Sequence, residues 1–158
     1  MLVNHVGIVV RDMEKSIAFY RDGLGLTVFV DDVVTDPDID EQCGVKDGKF
    51  RLVLLIDAAA NAIELWEWKN PPLEPTPARP NPFNSAGFFE IGLIVDDFDE
   101  AEKRLSEKGY SFEKPVWDFC KGRGLFGGAY GKVRYILDPD GVRVELVQLI
   151  LEDEPGIG

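Results

Sequence analysis

The sequence predicts an α+β fold made of two tandem copies of one βαβββ unit, and three observations carry that prediction. First, Asn4-His5-Val6-Gly7-Ile8-Val9-Val10-Arg11-Asp12-Met13 returns as Phe89-Glu90-Ile91-Gly92-Leu93-Ile94-Val95-Asp96-Asp97-Phe98, 85 positions on. Second, Leu55-Ile56-Asp57 and Ile63-Glu64-Leu65 return as Ile136-Leu137-Asp138 and Val144-Glu145-Leu146, 81 positions on and with the same gap between them. Third, residues 69–84 hold six of the ten prolines (Pro71, Pro72, Pro75, Pro77, Pro80, Pro82) and favour an extended, semi-rigid path between the copies. Self-similarity at this period marks a duplicated supersecondary unit rather than two unrelated domains.

Each copy opens with a short run rich in Val, Ile, Leu and Phe, over 2–10 and 87–95, which predicts a strand. A helix follows each. Asp12 is placed as an N-cap, with Met13, Ile17, Tyr20 and Leu24 at helical spacing and Gly23 near the stop. Asp97 plays the same part in the second copy, with Phe98, Ala101 and Leu105 on the buried face and Gly109 as the stop. Three further strands are expected near 26–32, 48–56 and 62–68, and again near 110–114, 130–137 and 142–149. Asp138-Pro139-Asp140-Gly141 joins the last two, because proline suits the second position of a type I turn and glycine the fourth. Asp57 to Ala62 is expected to do the same work less tightly in the first copy. The resulting organisation is a first module over 1–69, a linker over 70–84, a second module over 85–150 and a frayed acidic tail over 151–158.

At 158 residues the chain is long enough to bury a core without disulfides or a structural metal. Its 29 acidic and 17 basic residues give a formal net charge of −12. That charge argues against nucleic acid, whose phosphates need clustered Lys and Arg, and against anionic membranes. Cys43 and Cys120 are too few for a disulfide framework and lack metal-knuckle spacing. Neither has a visible partner base for a nucleophilic role. The first residues carry no basic stretch and only a brief apolar run, so neither a signal peptide nor a spanning helix is read there, and the cytoplasm is the expected compartment.

Strand alternation puts Glu64, Trp66 and Trp68 on one face, opposite Ile63 and Leu65, and Glu145 on a face with Val147. In the first strands, His5 lies with Val3, Gly7 and Val9, and Glu90 with Phe88, Gly92 and Ile94. Each polar residue therefore sits on a mostly apolar face. A carboxylate there must be paired, hydrogen-bonded or coordinated.

These residues resemble the vicinal oxygen chelate superfamily: glyoxalase I, methylmalonyl-CoA epimerase, extradiol dioxygenases and bleomycin-resistance proteins. The resemblance spans about 3–149. It rests on His5-Val6-Gly7-Ile8-Val9-Val10, on Ser16-Ile17-Ala18-Phe19-Tyr20-Arg21-Asp22-Gly23-Leu24-Gly25-Leu26, on Ile63-Glu64-Leu65, and on Asp138-Pro139-Asp140-Gly141-Val142-Arg143-Val144-Glu145-Leu146. It implies paired βαβββ modules curled into a cup-shaped mixed sheet with helices on the outer face, around one divalent metal ion. It places the metal ligands on His5, Glu64, Glu90 and Glu145, and it implies a homodimer binding a small molecule. Where relatives usually carry a third-position histidine this chain has Glu90, and His5 is its only histidine. One imidazole and three carboxylates suit Mn, Ni, Co, Zn or Mg.

The function the resemblance implies is a glyoxalase-like lyase or isomerase acting on a small oxygenated substrate by metal-stabilised enediolate chemistry. Glu145 is the expected base and Glu64 its mirror alternative. Trp66, Arg123 and Tyr130 are the candidate substrate contacts. One alternative is a non-catalytic small-molecule binding protein of the bleomycin-resistance type. Another is an iron-dependent extradiol-type dioxygenase, disfavoured because a two-His, one-carboxylate iron site needs more than one histidine. The glycine-rich, locally basic segment from Cys120 to Gly131 lacks the Gly-Lys-Ser/Thr ending of a nucleotide loop. It reads as a surface loop, or as a lid whose Lys121 or Arg123 meets a substrate anion.

Overall fold

Two four-stranded sheets carry the fold, one in each of two units, Met1–Ala78 and Arg79–Gly158. The computed structural model describes residues 3–74, 80–119 and 130–150. In the first unit, β1 (His5–Val9), β2 (Thr27–Val34), β3 (Lys49–Ile56) and β4 (Ala62–Asn70) lie in the order β1-β4-β3-β2. In the second, β5 (Ile91–Ile94), β6 (Trp117–Phe119), β7 (Tyr130–Leu137) and β8 (Arg143–Ile150) repeat it as β5-β8-β7-β6. The opening strand runs parallel to the last strand of its unit, and the other pairings are antiparallel. Each sheet is therefore mixed, and the α+β expectation holds.

A parallel pairing of first and last strands needs a crossover, and a helix supplies it. In the first unit α1 (Met13–Ile17) packs on β4, and in the second α3 (Phe98–Glu107) packs on β8. Asp12 caps α1 by accepting from the Lys15 N–H at 3.2 Å, and Asp97 caps α3 by accepting from the Glu100 N–H at 2.9 Å. The buried stripe is Met13 and Ile17 in one helix, Phe98, Ala101 and Leu105 in the other. Val53, Leu55, Ile63 and Leu65 form the buried face of the first sheet; Ile136, Val144 and Leu146 form that of the second.

The duplication extends to electrostatics. Arg51 on β3 reaches Glu14 on α1 and also Asp31 on β2. At the repeat-equivalent positions, Lys132 on β7 reaches Asp99 on α3 at 2.8 Å. Neighbouring Arg134 pairs with Glu102. Both hairpin turns use an aspartate in the same way. Asp138 Oδ1 accepts from the Asp140 and Val142 N–H groups, and Gly141 takes a positive φ of 88°. Asp57 Oδ1 accepts from Ala59 and Asn61.

Three local features differ from the sequence reading. Helix α1 passes into a π-helical turn over Ala18–Gly23, where the Leu24 N–H bonds back to the Phe19 carbonyl. The wider turn lets two adjacent aromatics, Phe19 and Tyr20, both reach the core, edge to face at 5.0 Å. A short helix α2 (Pro37–Cys43) follows β2, with Asp36 as N-cap, Pro37 at its start and Gly44 closing it in the left-handed conformation. It buries no residue, so no apolar period announced it. The strand expected near 110–114 is reduced to an isolated bridge between Phe112 and Ile136, and the edge strand forms at β6 instead.

Pro80 to Phe89 is held to the second unit by Arg143. Its guanidinium is 2% exposed, grips the Glu113 carboxylate at 2.9 and 3.2 Å, and donates to the carbonyls of Asn81 and Phe89. It also lies 4.0 Å from the centre of the Phe83 ring.

Candidate functional site

Each unit places one pair of polar side chains on the sheet face opposite its helix. In the first, β1 runs beside β4 with Gly7 opposite Glu64. His5, two residues earlier, brings Nε2 to 3.5 Å from Glu64 Oε2, while its Nδ1 lies 2.9 Å from Asn4 Oδ1. In the second, Gly92 lies opposite Glu145, and Glu90 precedes it by two. The glycines make room for the carboxylates. A Cβ on Gly7 would stand 3.7 Å from Glu64 Oε2, and one on Gly92 would stand 3.4 Å from Glu145 Oε2. The motif shared by the two first strands is thus a donor, a spacer and a gap into which the partner strand's glutamate folds.

The second pair lies in a cavity of about 510 Å³ lined by Glu90, Trp117, Phe119, Val133, Tyr135, Glu145, Val147 and Leu149. The repeat explains why it opens there. On the same face of the first unit, Phe50 stacks on Trp66 at 4.2 Å and meets Trp68 at 4.8 Å. The equivalent positions in the second unit are Gly131, Val147 and Leu149. Two indole rings give way to two aliphatic side chains that line the cavity, while Gly131 lies outside its lining and a Cβ there would collide with the Gln148 carbonyl oxygen.

Burial governs the charges in this cavity. Glu90 Oε2 is buried without a hydrogen-bond partner. Desolvation and the neighbouring Glu145 carboxylate push the Glu90 pKa up to about 7, against a partial pull downward from Arg143. Glu145 is also raised by desolvation, although the Tyr135 hydroxyl, donating to Oε1 at 3.2 Å, opposes that rise. Tyr135 is pushed up to about 12 by burial and by both carboxylates. Desolvation with a like charge nearby is the arrangement that tunes a carboxyl for proton transfer near neutral pH.

The comparisons with known proteins bear on family and fold. The profile of the Glyoxalase/Bleomycin resistance protein/Dioxygenase superfamily matches residues 2–146. The chain belongs to that superfamily. It is 29% identical over 146 residues to the uncharacterized protein YwkD of Bacillus subtilis, covering 92% of this chain and 95% of that one. Its fold is similar to that of a glyoxalase family protein from Bacillus cereus, with a TM-score of 0.80 at 21% identity over 94% of this chain and 93% of the other. It is also similar to the fosfomycin resistance protein FosX from Listeria monocytogenes, with a TM-score of 0.57 at 19% identity over 96% of both chains. Superfamily members typically bind a divalent metal and are often dimers that bind small molecules. Among the described residues no helix is long and apolar enough to cross a membrane.

Of the residues read from sequence, His5 meets Glu64, and Glu90 shares a cavity with Glu145. Among the described residues no group of three or more His, Cys, Asp or Glu side chains is placed to hold a metal ion. Trp66 lies in the aromatic stack of the first unit, its Nε1 buried without an acceptor. Tyr130 opens β7, but its side chain lies outside the described residues, as do Arg123, Lys121 and Cys120. Cys43 is exposed at the end of α2. Tyr135 and Arg143 were missed. The hairpin register offered a signal for the first: counting back from the Asp138–Gly141 turn puts Tyr135 opposite Glu145.

The raised Glu90 pKa has a consequence for stability. In metal-free protein the folded state holds this proton more tightly than the unfolded state does, so stability is fully present below the ordinary carboxyl value. It falls as pH rises from there through about 7. Urea denaturation in chelator between pH 4 and pH 8 is expected to show that decline, and Glu90→Gln to flatten it. A decline of the same slope in the variant would assign it to other groups.

Proposed function

We propose that this protein is a divalent-metal-dependent lyase or isomerase of the glyoxalase type, acting on a small oxygenated substrate. The observation that carries the reading is the Glu90–Glu145 pair with Tyr135 in a largely apolar cavity. Such a cavity suits a small molecule, and such a pair suits moving a proton.

Two observations support a metal in this reading. Glu90 Oε2 is a buried acceptor without a donor, and His5 Nε2 pairs with Glu64 Oε2 at 3.5 Å. His5, Glu64, Glu90 and Glu145 would hold the ion, which when bound supplies Lewis-acid polarisation of two neighbouring substrate oxygens. In this reading Glu145 takes the proton from the carbon beside a substrate carbonyl, leaving an enediolate. It then returns that proton to the adjacent carbon or yields it to the leaving group. Tyr135 holds Glu145 Oε1 in place through its hydroxyl. Glu64, at the equivalent position of the first unit, is the mirror candidate for the base. Two copies are expected to associate, because superfamily members are often dimers. The rival reading, a binding protein without chemistry, draws on the apolar lining alone.

Glu90 offers a direct test. Three carboxylates against a divalent ion leave the set net negative. Glu90→His removes one charge and restores two imidazoles, which Zn, Ni and Co favour over carboxylate. Calorimetric titration is expected to show tighter Zn binding in the variant and a loss of relative preference for Mn. Unchanged affinity for both ions would remove Glu90 from the ligand set.

A further inference from the structure

Resting on the reading of Glu145 as the base, we propose that Phe83 is a positioning residue for it, acting through Tyr135. The Phe83 ring meets the Tyr135 ring edge to face at 5.3 Å, and the Tyr135 hydroxyl donates to Glu145 Oε1 at 3.2 Å. That bond is long for a hydroxyl donor, whose ordinary range is about 2.5–3.0 Å, so it fixes the phenol weakly. Packing has to supply the rest. Tyr135 packs on Phe119 and Val133 beside the cavity, and Phe83 reaches the same ring from the segment that precedes β5. Phe83 does not itself line the cavity, so it acts on the site only through what it touches.

Phe83 is itself held in place. Its segment closes where Asn81 Nδ2 donates to the Phe88 carbonyl at 2.7 Å, and within it the Ser85 N–H turns back to the Pro82 carbonyl at 3.0 Å. The ring takes the Arg143 guanidinium at 4.0 Å from its centre and meets the Phe89 ring edge to face at 5.2 Å. At 48% exposure it gains little from burial, so these directional contacts fix its place. The comparison between units points the same way. Leu54 stands opposite Glu64 in the first unit as Tyr135 stands opposite Glu145 in the second, and Ala62 stands at the place of Arg143. Leucine cannot donate to a carboxylate, and alanine cannot cover a ring with a cation. Glu64 is met instead by His5 at 3.5 Å. The series Arg143, Phe83, Tyr135 thus serves the glutamate of the second unit, the one read as the base.

Fluorine NMR on the full chain tests this, with 3-fluorotyrosine placed at position 135 alone and chelator present. Glu145→Gln replaces the carboxylate by a neutral amide and is expected to displace the resonance. In a Phe83→Ala background the same change is expected to lose most of its effect, because the phenol no longer stays on its partner. Phe83→Leu keeps most of the bulk without the ring and is expected to lose the response as well, whereas Phe83→Tyr restores the ring and is expected to retain it. A displacement of undiminished size in the alanine or the leucine protein would overturn the proposal and leave Phe83 as a cover for Arg143. A resonance indifferent to Glu145→Gln in the parent would overturn it too. Turnover supplies the second arm. Deuterium wash-in from solvent into 2-hydroxyacetophenone by Mn-loaded protein is expected to fall about tenfold in kcat in Phe83→Ala, with KM within about twofold, as for a residue that aligns a base without touching substrate. A loss confined to KM would overturn the proposal. Absence of wash-in from the parent would count against the lyase or isomerase reading instead, and the fluorine result would still decide the role of Phe83.

Discussion

Glu145→Gln is expected to leave the fold intact and to cut turnover by about 10²–10⁴-fold, the usual size of a general-base contribution. Glutamine is isosteric, retains an oxygen that can accept from Tyr135, and sits between Val144 and Leu146, whose burial it does not disturb. What it lacks is basicity. The measurement is deuterium wash-in at the carbon beside the carbonyl of 2-hydroxyacetophenone, an uncharged probe with neighbouring oxygens, followed by NMR in Mn-loaded protein. Glu64→Gln is the control and is expected to lose less. A Glu145→Gln protein as active as the parent would pass the role to Glu64 or end the mechanism.

Arg143→Met is expected to destabilise the second unit by about 3 kcal/mol, the lower part of the range for removing one member of a buried ion pair. Three effects combine. The Glu113 carboxylate, 21% exposed at its side chain, loses its partner. The carbonyls of Asn81 and Phe89 lose their donor. The Phe83 ring loses a cation stacked 4.0 Å from its centre. Part of the cost lies in the stranded Glu113 charge, so adding Glu113→Gln is expected to recover some of it. Chemical denaturation of the single and double variants separates these terms. A single variant as stable as the parent would mean that the 80–89 segment is held by its aromatic contacts alone. Because Arg143 also favours the charged form of Glu90, its loss is expected to push the Glu90 pKa further upward.

The duplication was legible in the sequence because short-range pattern fixes it. The N-caps Asp12 and Asp97, the Asp138–Gly141 turn and the alternation in β4 and β8 each depend on neighbours within a few residues. The pairing of His5 with Glu64 and of Glu90 with Glu145 was also within reach, since equivalent residues of a repeat occupy equivalent places. Helix α2 was not, because it is amphipathic to nothing: its signal is confined to Asp36, Pro37 and Gly44 at its ends. Neither was the shift of the edge strand to β6. Residues 110–119 alternate poorly, and the pairing of Trp117 with Val133 is decided by a partner strand. The roles of Tyr135 and Arg143 depend on contacts across the sheet, and both break the repeat, standing where the first copy has Leu54 and Ala62. The cavity was invisible for a related reason. It is lined by Val147 and Leu149 where the first copy has Trp66 and Trp68, and only the comparison with those rings in folded form exposes it.

Metal content tests the central claim most directly. Protein purified without chelator and analysed for elements is expected to hold about one divalent ion for each set of four ligands, and chelator is expected to lower its Tm, as linkage requires of any ion bound by the folded state alone. His5→Ala and Glu145→Ala are each expected to reduce both the content and the Tm response. Absence of metal from the purified protein, with no rise in Tm on adding Mn, Ni, Co or Zn, would contradict the lyase or isomerase reading and leave a small-molecule binding protein in its place.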